Sequence, residues 1–141
     1  METGFIFAIA ASVTWGLVYT FDQKLLTHVS PVTYIFIGSI ITPILLLPFI
    51  LKNGGFKEMI SSGADNIALI VLCSILALTA DFFILSGIKN LDASTASIIE
   101  ISYPFFVVLF SFIFFRSSPN IYFFIGGLLV FLGSVIIVKF A

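Results

Sequence analysis

Charge is what this chain has least of. Only 9% of its 141 residues are Asp, Glu, Lys or Arg, with six cations against seven acids and a net charge of −1. That balance excludes a polyanion-binding surface, and no basic run offers a nucleic-acid footprint. One cysteine, Cys73, excludes an intrachain disulfide framework. One histidine, His28, beside the start of a loop, reads as a loop residue rather than a ligand. With no cluster of metal-ligand residues and no nucleophile–base constellation, the sequence offers neither a metal site nor a cofactor site, and the chain is not read as an enzyme.

What is present is hydrocarbon. Hydrophobic residues make up 60% of the chain, and the mean hydropathy is +1.25. Five continuous apolar stretches stand out, roughly Gly4–Phe21, Pro31–Leu51, Ile67–Ile88, Ala93–Phe115 and Ile121–Val138. Each meets the need for about 20 apolar residues to cross a hydrocarbon core about 30 Å thick. The runs are continuous rather than alternating, which argues against a β-barrel. The expected fold is therefore an all-α membrane protein, a single five-helix transmembrane domain over residues 1–141. The N-terminus lacks the positive region of a signal peptide and leads into a span with Trp15, Gly16 and Tyr19, so it reads as a mature helix.

The connections are short. Ser30-Pro31 and Ser118-Pro119 each place a capping hydroxyl before a proline at the first helical position. Asp92 is expected to cap the fourth span after a Lys89-Asn90 turn, and Asp65 to cap the third. The one longer connection, Lys52 to Asn66, contains Phe56–Ile60, which suits a short interfacial helix. Counted by side, Lys52, Lys57 and Arg116 face Lys24, Lys89 and Lys139. Three against three gives no orientation signal, and insertion in both orientations is one reading of that balance. The other is a bias resolved by an individual residue or a partner.

Acids within spans are the next signal, because a charge at bilayer depth normally faces a cavity or a partner. Asp81 and Glu100 lie equally far from the Lys89–Asp92 turn. In an antiparallel hairpin that spacing gives them one depth, roughly 10 Å inside the hydrocarbon boundary. Asp22 approaches from the same side but nearer the interface, where a helix-end charge is the plainer reading. Ser12, Trp15, Tyr19 and Asp22 fall on one stripe of the first span, and Ser97, Glu100, Pro104 and Ser111 on one stripe of the fourth. Pro104 has no N–H, so it deprives the Glu100 carbonyl of its helical partner and kinks the span. Desolvation disfavours a carboxylate charge, and on that general ground Glu100 is the candidate for proton exchange. Asp81 has a competing role as the partner of Lys24 or Lys89, reaching in from the interface. Trp15 and Tyr19 have one as packing aromatics. In the fifth span Gly126 and Gly133 are seven residues apart and offer one smooth face for helix packing.

The Trp15-Gly16 pair, Ser30-Pro31, Ala93–Ala96 leading into Ile101-Ser102-Tyr103-Pro104, and Gly126-Gly127 with Gly133 together resemble one EamA repeat of the drug/metabolite transporter superfamily. Full-length members carry two five-span repeats in inverted orientation, so the resemblance implies a half-size, single-repeat member. Two features depart from the pattern. Phe115-Arg116 stand where such repeats often carry an acid, and Gly38-Ser39 where the second span often carries an arginine. The four-span small multidrug resistance relatives use an acid within their first span; here that span has none at mid-membrane, so their mechanism does not transfer. The resemblance implies a secondary transporter of a small metabolite or drug-like molecule in the cytoplasmic membrane of a prokaryote. Its substrate and proton residues are expected among Glu100, Asp81, Trp15, Tyr19, Tyr103 and Asp22. Its partners are the lipid bilayer, a small-molecule substrate and a second five-span unit. That unit is another copy, antiparallel if the chain inserts both ways, or a second half-size transporter in a heterodimer. The alternative is a non-transporting membrane subunit that stabilises a partner membrane protein.

Overall fold

The computed structural model describes residues 2–117 and 120–140, and the described residues are helical with no strand among them. The Ser118-Pro119 start expected for the fifth span lies outside them. Seven helices are described: α1 (Glu2–Leu25), α2 (Pro31–Asn53), α3 (Gly55–Ser61), α4 (Ala64–Asn90), α5 (Ala93–Glu100), α6 (Tyr103–Phe115) and α7 (Ile121–Phe140). Five stretches are long and apolar enough to cross a membrane: Thr3–Leu25, Pro31–Asn53, Ala64–Asn90, Ala93–Phe115 and Ile121–Phe140. The all-α membrane fold expected from the apolar runs is the fold observed. Phe114 and Phe115 are 72% and 81% exposed in the isolated chain, so the outward surface is hydrocarbon, suited to lipid rather than water.

The helices form two compact units. One comprises α2, α3 and α4 as far as Ser86, preceded by the linker from Leu26. Here Ser30 caps α2 as expected, its hydroxyl accepting from the Thr33 N–H at 3.1 Å with Pro31 in the first turn. Helix α2 contains Pro43 and Pro48 without breaking. It ends at Gly54, whose φ of 69° is the left-handed conformation that glycine adopts without Cβ strain, and its N–H closes onto the Ile50 carbonyl. The short helix expected near Phe56–Ile60 is α3, with Phe56, Met59 and Ile60 exposed. Asp65 is not a cap. Helix α4 starts at Ala64, two residues earlier than a cap at Asp65 would place it and just after Gly63 at φ 90°. Asp65 therefore stands inside the first turn, where its charge still favours the positive end of the helix dipole.

The other unit comprises α1, the last turn of α4 from Gly87, and α5 to α7. Helix α4 runs through Asn90, so the expected Lys89-Asn90 turn is shortened to Leu91 and Asp92. Asp92 caps α5 as expected: its carboxylate accepts from the Thr95 N–H at 2.9 Å and the Thr95 hydroxyl at 2.7 Å. These bonds, the backbone one foremost, hold the Asp92 carboxyl below its ordinary range. Gly87 packs against Ala96 across this hairpin, where a Cβ would lie at ordinary contact distance, 3.6 Å from that of Ala96. Ile88, Ala93 and Ala96 are buried in this unit.

The fourth span is not one helix. It breaks at Ile101-Ser102, between α5 and α6. Pro104 offers no N–H to the Glu100 carbonyl, and the chain tightens instead, with the Ser102 N–H reaching Ile99 at 3.2 Å and the Phe105 N–H reaching Ser102 at 3.1 Å. This is the kink expected from Pro104. It also corrects the stripe drawn through Ser97, Glu100, Pro104 and Ser111, because one helical register does not run across a break.

Candidate functional site

The site grows from the contact between α1 and α5. Along α1 the 3.6-residue period puts Trp15, Tyr19 and Asp22 on the face expected for them. The Trp15 and Tyr19 rings lie 5.4 Å apart between centroids, tilted by 44°. The Tyr19 hydroxyl donates to Glu100 Oε2 at 2.7 Å, a charge-assisted length for an O–H···O bond. Glu100 is the last residue of α5, half-buried, directly before the break. Asp22, expected near the interface as a helix-end charge, is only 3% exposed and is the most buried charged residue described. It sits two residues before Lys24 in the last turn of α1. One turn beyond Tyr19, Gln23 accepts from the Ala93 N–H at 2.9 Å. Together with Asp92, it satisfies two of the four backbone donors that open α5.

A second contact, absent from the sequence reading, lies on the opposite side of the break. Ser102 and Ser134 are 8% and 6% exposed, and their hydroxyls are 3.2 Å apart. The Ser134 proton goes to the Phe131 carbonyl at 2.7 Å, so Ser102 donates and Ser134 accepts. No periodic signal marks these two serines. Most hydroxyls in the spans return to their own helix: Thr14, Thr20, Ser74 and Thr79 each donate to the carbonyl four residues back at 2.8 Å.

Beside this pair, a cleft of about 380 Å³ separates the break from α7, lined by Ile101, Pro104, Phe105, Tyr122, Gly126 and Val130 among others. Its walls are almost wholly apolar. Tyr103, the first residue of α6, is 59% exposed. The close backbone approach in α7 belongs to Gly127, where a Cβ would meet Phe105 at 3.7 Å. At Gly126 and Gly133 a Cβ would have no described atom within 4 Å, so the expected packing face is open within this chain.

Asp81 is exposed on α4 and belongs to the other unit. The geometry therefore brings Glu100, Tyr19 and Trp15 together on one seam with Asp22 further along α1. Chemically, this is a carboxylate held by a phenol, beside two tilted aromatic rings in contact. Such a group can take up a proton or face a cation.

Comparison with curated proteins and with solved structures gives no match. Comparison with protein families does: the EamA-like transporter family matches residues 2–139, nearly the whole chain and all five candidate spans. The chain belongs to the EamA-like transporter family, and it is an integral, multi-pass membrane protein.

Proposed function

We propose that this protein is a secondary transporter of a small metabolite or drug-like molecule, coupled to protons through Glu100. The observation that carries the reading is the 2.7 Å bond between Tyr19 and Glu100. Among the described residues the donor to Glu100 is the neutral Tyr19 hydroxyl, a bond that a substrate group or a proton at the carboxyl can contest. Substrate arriving at Glu100 competes with both Tyr19 and the proton, which is the exchange that proton coupling requires. Trp15 and Tyr19 supply an aromatic wall for an apolar or cationic substrate. Asp81 on α4 is a second proposed acid within a span.

The chain carries one five-span set, and alternating access in this superfamily uses two sets in inverted orientation. The second is a further copy of the chain, paired through the open Gly126/Gly133 face of α7. The even Lys and Arg balance supports an antiparallel pair. The plasma membrane of a prokaryote is the setting that fits this reading.

The test is proton flux in proteoliposomes containing only this chain. Ethidium serves as an amphipathic-cation cargo, and mixed amino acids, nucleosides and sugars as alternatives. Cargo-dependent proton movement is expected from the parent and is lost in Glu100→Gln, which keeps the side-chain shape and removes the titration. Cargo movement in Glu100→Gln with unchanged pH dependence would sink the proton-coupling reading. No cargo movement by the parent, with stable capture of a second membrane protein, would make the chain a non-transporting subunit.

A further inference from the structure

We infer that Ser134 is a positioning residue for Glu100, acting through Ser102 across the break in the fourth span; this rests on the proton-exchange role given to Glu100 above. The α-helical ladder runs as far as Ile101, whose N–H reaches Ser97 at 2.9 Å, and does not continue past it. Pro104 has no N–H, and the Ser102 and Phe105 N–H groups close tight three-residue turns instead of continuing the α-helix. Two side-chain anchors take over, one on each side of the break. Glu100 is tied to Tyr19 of α1, and Ser102, two residues later, is tied to Ser134 of α7.

Ser134 is fitted for this because its own proton is committed to Phe131, leaving its oxygen to accept. The Ser102 hydroxyl points at that oxygen from within a buried contact, where it is shielded from competing water. Removing Ser134's oxygen frees Ser102 to turn back onto its own helix, as Thr14 and Ser74 do on theirs. The break then keeps only the Tyr19–Glu100 anchor, and the angle at which the Glu100 carboxyl meets Tyr19 is no longer fixed from the α7 side.

The titratable groups around Glu100 are few. From α1 they are Tyr19, then Asp22 and Lys24 toward its end. From α6 it is Tyr103, and from the last turn of α4 it is Lys89. From α7 they are Tyr122 and Lys139, which stand near its two ends, far along the helix from Ser134's contact or outside its turn. Ser134 and Ser102 do not titrate, so an effect of either on Glu100 is one of position.

The experiment is infrared titration of the full chain in lipid vesicles, following the protonated carboxyl band that disappears in Glu100→Gln. That assignment needs no substrate. Ser134→Ala and Tyr19→Phe are each expected to change the proton affinity of Glu100 by about tenfold, the scale of one hydrogen bond to a charged group. Combined, they give no more change than Tyr19→Phe alone, because they act through one bond. Ser134→Thr retains the oxygen and titrates as the parent. Ser102→Ala leaves Ser134 bonded to Phe131 and reproduces Ser134→Ala, which decides the matter if the latter does not fold. A parental titration in both alanine variants, or additive effects with Tyr19→Phe, overturns the inference and leaves the Glu100 reading standing. A parent with no titrating band that depends on Glu100 overturns the proton-exchange reading itself.

Discussion

The Tyr19 hydroxyl donates to Glu100 Oε2 at 2.7 Å, joining two helices 81 residues apart in the chain. Both residues are half-buried and lie in candidate spans. Its consequence for function is direct. Whatever binds at Glu100 must outcompete a phenol already in place.

Tyr19→Phe removes that competitor while keeping the ring against Trp15. Transport measured against pH in proteoliposomes is expected to shift its profile relative to the parent, with the fold and oligomeric state unchanged in detergent. A profile identical to the parent's would make Tyr19 a packing aromatic only.

The glycines of α7 divide into two kinds, and substitution separates them. Gly127→Leu drives bulk against Phe105 and is expected to destabilise the chain by about 1–3 kcal/mol, the usual cost of overpacking. Gly126→Leu with Gly133→Leu meets open space within the chain, so thermal stability of the monomer is kept while self-association weakens. Analytical ultracentrifugation in detergent reads the second effect. An unchanged dimer fraction in the double variant places the interface elsewhere.

Asp92 gives a pH dependence with a definite sign. Its carboxyl is held below the ordinary value by the Thr95 bonds. The unfolded chain therefore takes up the proton first as pH falls. The cap's contribution is complete above the unfolded value of about 3.9 and is lost as pH drops through the lower folded value. Asp92→Asn keeps a capping oxygen without the charge, and thermal unfolding below about pH 5 is expected to lose this component of its acid sensitivity. An acid-unfolding curve that matches the parent's would remove Asp92 from the account.

Orientation is tested independently of activity. With Lys52, Lys57 and Arg116 balancing Lys24, Lys89 and Lys139, reporter fusions at the C-terminus are expected on both sides of the membrane. Adding one lysine to a loop should bias them. One fixed orientation, indifferent to that lysine, argues for a parallel pair or a distinct partner.

The parts legible in the sequence were those that one helix decides for itself. Apolar length located the five spans, Ser30 and Asp92 announced their caps by residue type, and Pro104 announced the break. Glu100 stood out because an acid in hydrocarbon demands a reason, and the stripe through Trp15 and Tyr19 pointed at the face that meets it. What escaped depends on a second helix. Gln23 has no pattern that says its carbonyl reaches the Ala93 N–H. Ser102 and Ser134 are indistinguishable in sequence from hydroxyls that bond within their own turn. Within the chain the glycine that meets Phe105 is Gly127 rather than Gly126, since a rotation of about 100° per residue decides which one faces it.

Two of the ties between α1 and α5 differ in kind. Gln23 holds the Ala93 N–H with an uncharged amide that no pH change disturbs, whereas Tyr19 holds a group that can gain a proton. The first lies at the end of α1 and the second one turn inward. If the inner tie alone let go, Gln23 would still hold the end of α1, and the gap would open beside Tyr19 and Glu100 rather than at Ala93, like the arms of a clothes-peg.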